Sequence, residues 1–204
     1  MVKPPAPRLI AARWHGGSQT PALITIHSMV APCKEGVAES IGHMFATEEN
    51  QTSAHYGVDP GEVVQYVGDH KVAYHCGFND DSLGVEMADM PGPIPGDSRT
   101  SAAFKAARKV WRWNRPEQKV MLEKTATLVA ELCLAYNIPI RFLKSAGLLR
   151  WNASGRKAAM GGITTHAYMS QTFHESTHWD PGFWPRRRFI RLVKREAAKI
   201  KAAQ

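Results

Sequence analysis

The residues of this sequence best suited to chemistry are its nine histidines, several of which lie beside carboxylates or at the end of an apolar run. The densest group lies between His166 and Gly182 and holds three histidines, one glutamate and one aspartate within seventeen residues. Imidazoles and carboxylates are the usual zinc ligands of hydrolases, and both also act as general acids and bases. This composition favours a metal site or an acid–base site over a packed core.

One motif in this group matches a zinc-binding pattern in its sequence but not in its expected structure. His174-Glu175-Ser176-Thr177-His178 has the His-Glu-x-x-His pattern of zinc proteases. That motif needs a helix so that both histidines share one face, whereas the following Asp180-Pro181-Gly182 is typical of a loop. We therefore interpret this stretch as a loop rather than as a zinc protease helix.

Two further candidates end predicted buried strands. His27 closes the apolar run over 22–26 and would project from the end of a sheet, where the sites of α/β proteins often lie. The alternative for His27 is a strand-end histidine bonded to a backbone group. Glu86 follows Leu83-Gly84-Val85, and a carboxylate there is costly unless it is functional or paired in a salt bridge with Arg or Lys.

The elements that must position these residues alternate between strands and helices. Apolar periodicity predicts a buried strand over 22–28, a helix over 34–46, a hairpin around Asp59-Pro60-Gly61, a strand over 83–87 and helices over 117–136 and 186–202. Residues 91–103 are predicted to form a loop, and residues 144–163 show no clear period. The whole predicts a single α/β domain over 1–204, with a core of about 20–185 and a mixed central sheet flanked by helices.

The net charge of +8 is concentrated at the C-terminus. Residues 186–204 hold eight cationic side chains and one glutamate, so residues 1–185 are nearly neutral. This basic C-terminal helix is either a solvated amphipathic helix packed on the domain or a cationic element drawn to anionic wall polymers or a membrane surface. The same charge would also suit nucleic acid.

Other classes of protein are disfavoured by composition. Three cysteines without a short-spaced pair argue against a disulfide scaffold or a cysteine-only zinc site. No apolar run approaches the length of a membrane span, and the N-terminus has no stretch of signal-peptide type. The sequence therefore predicts a chain that stays in the cytoplasm of the cell that makes it.

Five segments, taken together, resemble the type 2 N-acetylmuramoyl-L-alanine amidases, which share their fold with peptidoglycan recognition proteins. They are Ile26-His27, Ser53-Ala54-His55-Tyr56, Ala73-Tyr74-His75-Cys76-Gly77, the stretch from Asn79 to Glu86, and the stretch from His166 to Asp180-Pro181-Gly182. They occur in the family's order and cover roughly residues 20–90 and 117–185. The ending Ser-Thr-His-x-Asp-Pro-Gly looks most like the amidase domains of phage endolysins, particularly those of phages that infect mycobacteria and their relatives.

The resemblance implies a zinc site and a catalytic pair. His27, His166 and Asp180 would be the ligands of Zn²⁺, with His174 as an alternative ligand. Glu86 would be the general base or acid acting on the water, and His178 would stabilise the oxyanion at a position where many members have lysine.

Three more residues are candidates for substrate contact. His55 would touch substrate if its strand face lines the cleft, and would otherwise be a sheet-surface histidine. His75 lies in a segment that family members place near the rim of the cleft. Trp179, between His178 and Asp180, is the tryptophan expected to line the cleft.

The function implied by the resemblance is zinc-dependent hydrolysis of the amide bond between N-acetylmuramic acid and L-alanine in peptidoglycan. The protein would be a monomeric endolysin, held in the host cytoplasm until lysis and then acting at the cell wall. One alternative is a non-catalytic peptidoglycan-binding module of the same fold, although such modules typically lose a zinc ligand. The other is a basic nucleic-acid-binding protein that depends on the C-terminal helix.

Overall fold

A computed structural model describes residues 5–89, 113–155, 157–174, 176–182 and 184–204. Its strands are β1 (Arg8–Leu9), β2 (Leu23–Ser28), β3 (Tyr56–Val58), β4 (Val63–Gln65), β5 (Ser82–Met87) and β6 (Gly162–Thr165). Its helices are α1 (Val37–Phe45), α2 (Pro116–Ala135), α3 (Ser145–Asn152), α4 (Lys157–Met160), α5 (His166–Phe173) and α6 (Arg186–Ala202). The predicted α/β class is confirmed, and the loop predicted over 91–103 lies outside the described residues.

The six strands form one mixed sheet in the order β1-β4-β3-β5-β2-β6. The four neighbours β3, β5, β2 and β6 run parallel, so their carboxyl ends lie at the same edge of the sheet. Strand β4 pairs antiparallel with β3, which confirms the predicted hairpin, and β1 pairs parallel with β4 at the edge. The parallel strands are therefore the part of the sheet that can bring strand-end residues together.

Strand β2 is the centre of the fold because every one of its residues is buried. Its Leu-Ile-Thr-Ile run is the continuous apolar pattern that a parallel strand covered on both faces requires. Ile24 and Ile26 belong to the core that includes α2 and α6, whereas Leu23, on the other face, packs with residues of α3 and α5. Two layers of helices thus hold the strand, and with it His27, in place.

The hairpin turn and helix α1 are tied together by one buried aspartate. Asp59 Oδ1 accepts hydrogen bonds from the N–H groups of Gly61 and Glu62, at 2.7 and 2.8 Å, and closes the turn. Its Oδ2 accepts the N–H of Ala38 at 3.0 Å, in the first turn of α1. Since α1 borders the cleft described below, this aspartate links the sheet to one wall of the site.

Helix α6 is the predicted basic amphipathic helix. Its Phe189, Leu192, Val193 and Ala197 are buried, and its closest packing is against α2. The helix is therefore packed on the domain, as one of its two interpretations expected. Nowhere in the described ranges does a helix combine the length and apolar character needed to cross a membrane.

Candidate metal centre and catalytic cleft

Three adjacent parallel strands bring the candidate residues to one edge of the sheet. The register of β2 and β5 places His27 directly beside Glu86. Ile26 pairs with Thr165, the last residue of β6, so that His166 begins α5 next to His27. The carboxyl edge of parallel strands is where open α/β folds usually bind ligands.

Asp180 reaches this edge from the segment that follows α5. Its carbonyl oxygen accepts the N–H of Ala167 at 3.0 Å, which holds the segment against the start of α5. Its carboxylate Oδ2 accepts the N–H of Ser28 at 3.1 Å, at the end of β2. Two backbone contacts, one to each neighbouring element, thus set the position of the carboxylate.

His27, His166 and Asp180 form a compact set of ligand atoms, all buried and within 4.8 Å of one another. The Nδ1 atoms of the two histidines are 3.1 Å apart. The Asp180 carboxylate lies 3.1 Å from His166 Nδ1 through Oδ1 and 3.6 Å from His27 Nδ1 through Oδ2. Tetrahedral zinc with ligands at about 2.0–2.1 Å requires edges of about 3.3 Å. The three residues therefore fit a zinc ion in both donor type and spacing.

The electrostatics of this set also suit a cation. Burial lowers the pKa of His27 to about 4, so its imidazole is neutral at neutral pH and offers a lone pair. Burial alone would raise the pKa of Asp180, but its hydrogen bond with His166 and the proximity of His27 outweigh that effect and lower it. Neutral nitrogens next to an ionised carboxylate are the protonation states in which such residues bind metal.

Glu86 stands beside this set without a strong partner. Its Oε1 lies 3.9 Å from His27 Nδ1, and its Oε2 is buried with no hydrogen-bond partner among the described residues. Burial raises the pKa of Glu86 well above its ordinary value, and the nearby Asp180 raises it further. Within the same residues it forms no ion pair with Arg or Lys, so the salt-bridge alternative is not supported.

His178 lies at the mouth of the site. Its side chain is 65% exposed, and its ring stacks on that of His166 with centroids 4.6 Å apart. Its Nδ1 is 3.8 Å from Asp180 Oδ1, too far for a hydrogen bond. The imidazole is thus held over the metal-ligand set while its edge remains open to solvent.

The described residues of the stretch that spells His-Glu-x-x-His are not helical. Helix α5 ends at Phe173, and His174 adopts a left-handed conformation with φ of 54°. His174 is exposed at this helix end, whereas the compact ligand set consists of His27, His166 and Asp180. The loop interpretation agrees with this backbone, and nothing here favours His174 as a ligand.

The structure contradicts both interpretations of His55. The side chain is fully buried and is therefore neither a substrate contact nor a sheet-surface histidine. Its Nε2 donates to the carbonyl oxygen of Lys71 at 2.8 Å, and its Nδ1 accepts the N–H of Gly84 at 3.0 Å. The segment that contains Lys71 covers this face of the sheet, an arrangement that alternation along the strand cannot reveal.

Of the other two predicted substrate contacts, His75 lies at the cleft, as expected, and Trp179 does not. His75 borders the cleft, but it is only 8% exposed, and both its ring nitrogens face protein groups. Trp179 is not among the described residues that line the cleft, whereas its neighbours His178 and Asp180 are.

The cleft itself has a volume of about 400 Å³ and combines the polar set with an apolar rim. Val30, Met44 and Tyr74 line it and are exposed by 61%, 44% and 38%. Sequence reasoning missed these three residues as site residues. Met44 lies on the apolar period of α1, which normally indicates core, and Tyr74 adjoins His75 in one of the five segments.

Comparison with known proteins places this site in a family. Residues 17–183 match the N-acetylmuramoyl-L-alanine amidase family. No match was found among curated protein sequences. Among solved structures, a mutant of PlyL aligns over 93% of this chain and 99% of its own with a TM-score of 0.60 and 18% identity.

Two further structures share the fold. The Staphylococcus aureus hydrolase AmiA, in complex with its ligand, aligns over 98% of this chain and 87% of its own, with a TM-score of 0.63 and 14% identity. The endolysin amidase LysCS from Clostridium intestinale aligns over 95% and 99%, with a TM-score of 0.55 and 12% identity. The TM-scores of these three structures show a common fold. The match over residues 17–183 establishes more: the chain belongs to the N-acetylmuramoyl-L-alanine amidase family.

Proposed function

We propose that the protein is a zinc-dependent peptidoglycan amidase. It would cut the amide bond between the lactyl carbonyl of N-acetylmuramic acid and the nitrogen of L-alanine in the stem peptide. The observation that carries this proposal is the buried set of His27, His166 and Asp180 with Glu86 beside it, at the carboxyl edge of the sheet. The membership of the chain in the amidase family supplies the class of substrate.

The metal would be held by the Nδ1 atoms of His27 and His166 and by a carboxylate oxygen of Asp180. When bound, zinc would polarise the scissile carbonyl and lower the pKa of its water to about 7. Two neutral imidazoles and one carboxylate leave such a site with a net positive charge. That charge suits attack on a neutral amide, whose carbonyl is only weakly electrophilic.

Glu86 would carry the proton during hydrolysis. The carbon–oxygen bond forms as water attacks the carbonyl carbon, and Glu86 accepts the proton that the water loses. The carbon–nitrogen bond then breaks, and Glu86 returns the proton to the leaving nitrogen of L-alanine. Its Oε2, which has no hydrogen-bond partner among the described residues, leaves the carboxylate free to exchange this proton.

His178 would stabilise the carbonyl oxygen as it gains negative charge. Its ring is held by stacking on His166, and its exposed edge can donate a hydrogen bond to a substrate in the cleft. One well-placed donor of this kind is worth about 3 kcal/mol of transition-state stabilisation in other enzymes.

The proposed place of action is the bacterial wall at lysis, as for an endolysin. The exposed cations of α6 would attract anionic wall polymers. Because the apolar residues Phe189, Leu192 and Val193 are buried in the domain, they cannot enter a bilayer, which favours a wall polymer over lipid as the partner. The apolar rim of the cleft offers surfaces for the sugar and the peptide methyl groups.

End-group analysis of digested peptidoglycan tests the proposal. Purified wall incubated with the protein should gain free L-alanine amino termini, and a strong chelator should abolish them. New reducing sugar ends would instead identify a glycosidase and overturn the proposed reaction. Sedimentation with the wall without new end groups would identify the non-catalytic binding module.

A further inference from the structure

His75 is a second buried histidine directly behind His27. Its backbone N–H donates to Asn79 Oδ1 at 2.9 Å, which fixes the start of the turn that carries it. Its side chain packs against Gly84 of β5, where an added Cβ atom would lie only 2.5 Å from His75 Cγ. The position of this ring against the sheet therefore requires glycine at position 84.

The hydrogen bonds of His75 have a defined direction. Its Nε2 lies 3.3 Å from the carbonyl oxygen of Ser82, which can only accept, so Nε2 carries the hydrogen. A neutral imidazole has one N–H, and in His75 that N–H faces the Ser82 carbonyl. The remaining Nδ1 is therefore an acceptor, and it faces His27 Nε2 at 3.0 Å.

This direction fixes the state of His27 as well. His27 Nε2 must donate to His75 Nδ1, so the hydrogen of the neutral His27 ring is on Nε2. The lone pair is then on Nδ1, the atom that faces His166 Nδ1 and the Asp180 carboxylate. We propose that His75 is a positioning residue. It donates to the Ser82 carbonyl through Nε2 and accepts from His27 Nε2 through Nδ1, and it thereby keeps the His27 lone pair directed toward the metal-ligand set.

The inference rests on the proposed function because it takes His27 as a zinc ligand. Metal-binding histidines usually donate their second N–H to a carboxylate or a backbone carbonyl, and loss of that partner typically weakens metal binding 10–100-fold. Here a neutral imidazole stands between the ligand and the carbonyl. Without it, the N–H of His27 would be buried and unpaired in the tautomer that binds metal, which disfavours that tautomer.

Zinc affinity of the metal-free full-length protein tests the inference through a pair of variants. His75→Leu removes the acceptor and should raise the zinc dissociation constant about 10–100-fold in competition with a chromogenic chelator. His75→Asn places an amide oxygen near the position of Nδ1 and should recover most of that affinity. Equal affinity in His75→Leu and wild type, or equal weakness in both variants, would overturn the inference.

A buried histidine outside the chain of hydrogen bonds supplies the matched control. His55→Asn removes an imidazole that bonds to Lys71 and Gly84 instead of His27, and it should leave zinc affinity within about twofold of wild type. A loss of affinity in His55→Asn as large as in His75→Leu would mean that any buried histidine is needed only for folding. That result would also overturn the inference.

Nitrogen-15 NMR of the metal-free wild type reads the tautomer without any substitution. The inference predicts a protonated Nε2 and an unprotonated Nδ1 for both His27 and His75. A protonated His27 Nδ1 would overturn it even if His75→Leu failed to fold. If the wild type binds no zinc, the result contradicts the proposed function. Tight zinc binding with the opposite tautomer contradicts this inference alone.

Discussion

The carboxyl edge of β2, β5 and β6 buries its ionisable groups, whereas helix α6 exposes most of its own. At the edge, His27, Glu86 and Asp180 lie within hydrogen-bond or ion-pair distance of each other or of His166. Burial shifts the pKa of His27 and Glu86, and the neighbouring histidines lower that of Asp180. On α6, Arg187, Arg191 and Lys194 are exposed to solvent.

This contrast predicts different sensitivities for the two regions. A buried charge that loses its partner is costly, so each group at the edge should matter individually. Exposed cations interact weakly and are screened by salt, so α6 should tolerate their loss. The contribution of α6 to stability should come from its apolar face, which packs on α2.

The largest expected effect separates metal binding from proton transfer at the edge. Glu86→Gln should keep zinc but lower turnover about 10²–10⁴-fold, because the amide keeps the shape of the side chain and cannot accept the proton. His27→Ala is the matched variant that should lose zinc as well as turnover. Zinc content by elemental analysis, together with end-group analysis, measures both. Full zinc occupancy in His27→Ala would contradict the ligand assignment.

The next largest effect is on the apolar face of α6. Phe189→Ala should lower the free energy of unfolding by about 3–5 kcal/mol, because the ring is fully buried in the core. Lys194→Ala on the exposed face is its control and should change that free energy by less than about 0.5 kcal/mol. Urea denaturation compares the two. Similar losses in both variants would contradict the division of α6 into a packed face and a solvated face.

A pH-dependent effect on the free energy of unfolding is expected from the buried His55. Burial lowers the pKa of His55 to about 4, so from pH 6.5 down to 4 the unfolded chain gains a proton that the folded protein does not. The free energy of unfolding therefore falls as the pH drops through this window, with about 3 kcal/mol due to His55. His55→Asn keeps an acceptor for Gly84 and should show a shallower fall in urea denaturation across this range. An unchanged slope would contradict the assignment.

The smallest effect on stability is expected from the cations of α6. Substitution of Arg187, Arg191 and Lys194 by Gln should leave the free energy of unfolding nearly unchanged but weaken sedimentation with purified wall. The measurement uses the Glu86→Gln background, so that the wall stays intact, and low and high salt. Lys119→Gln, exposed on α2, is the control. Wall binding that changes neither with salt nor with the triple substitution would contradict a role for α6 in binding the wall.

Sequence reasoning predicted the elements with a strong period and the residues at their ends. The apolar runs of β2 and β5 end at or near His27 and Glu86, so both could be singled out before the fold was known. The pairing of these two strands in register is a long-range contact, and apolar periodicity cannot predict it. It was the resemblance to a family, carried by five short segments, that joined them to His166 and Asp180.

The residues that differed from prediction depend on contacts from distant segments. His55 lies just before β3, in a stretch whose sequence reads as a half-exposed strand, and the segment at Lys71 covers it. Strand β6 begins at Gly162, directly after Gly161, and is only four residues long, so no apolar period marks it. The exposed Met44 follows the apolar period of α1, where core and cleft residues have the same pattern.

Anomalous X-ray diffraction at the zinc edge tests the central claim most directly. Crystals of the wild-type protein loaded with zinc should show one strong peak about 2.0–2.1 Å from His27 Nδ1, His166 Nδ1 and an oxygen of Asp180. Glu86 should lie beside that peak without ligating it. The absence of a peak at these three atoms, or a peak held by a different set of residues, would contradict the account.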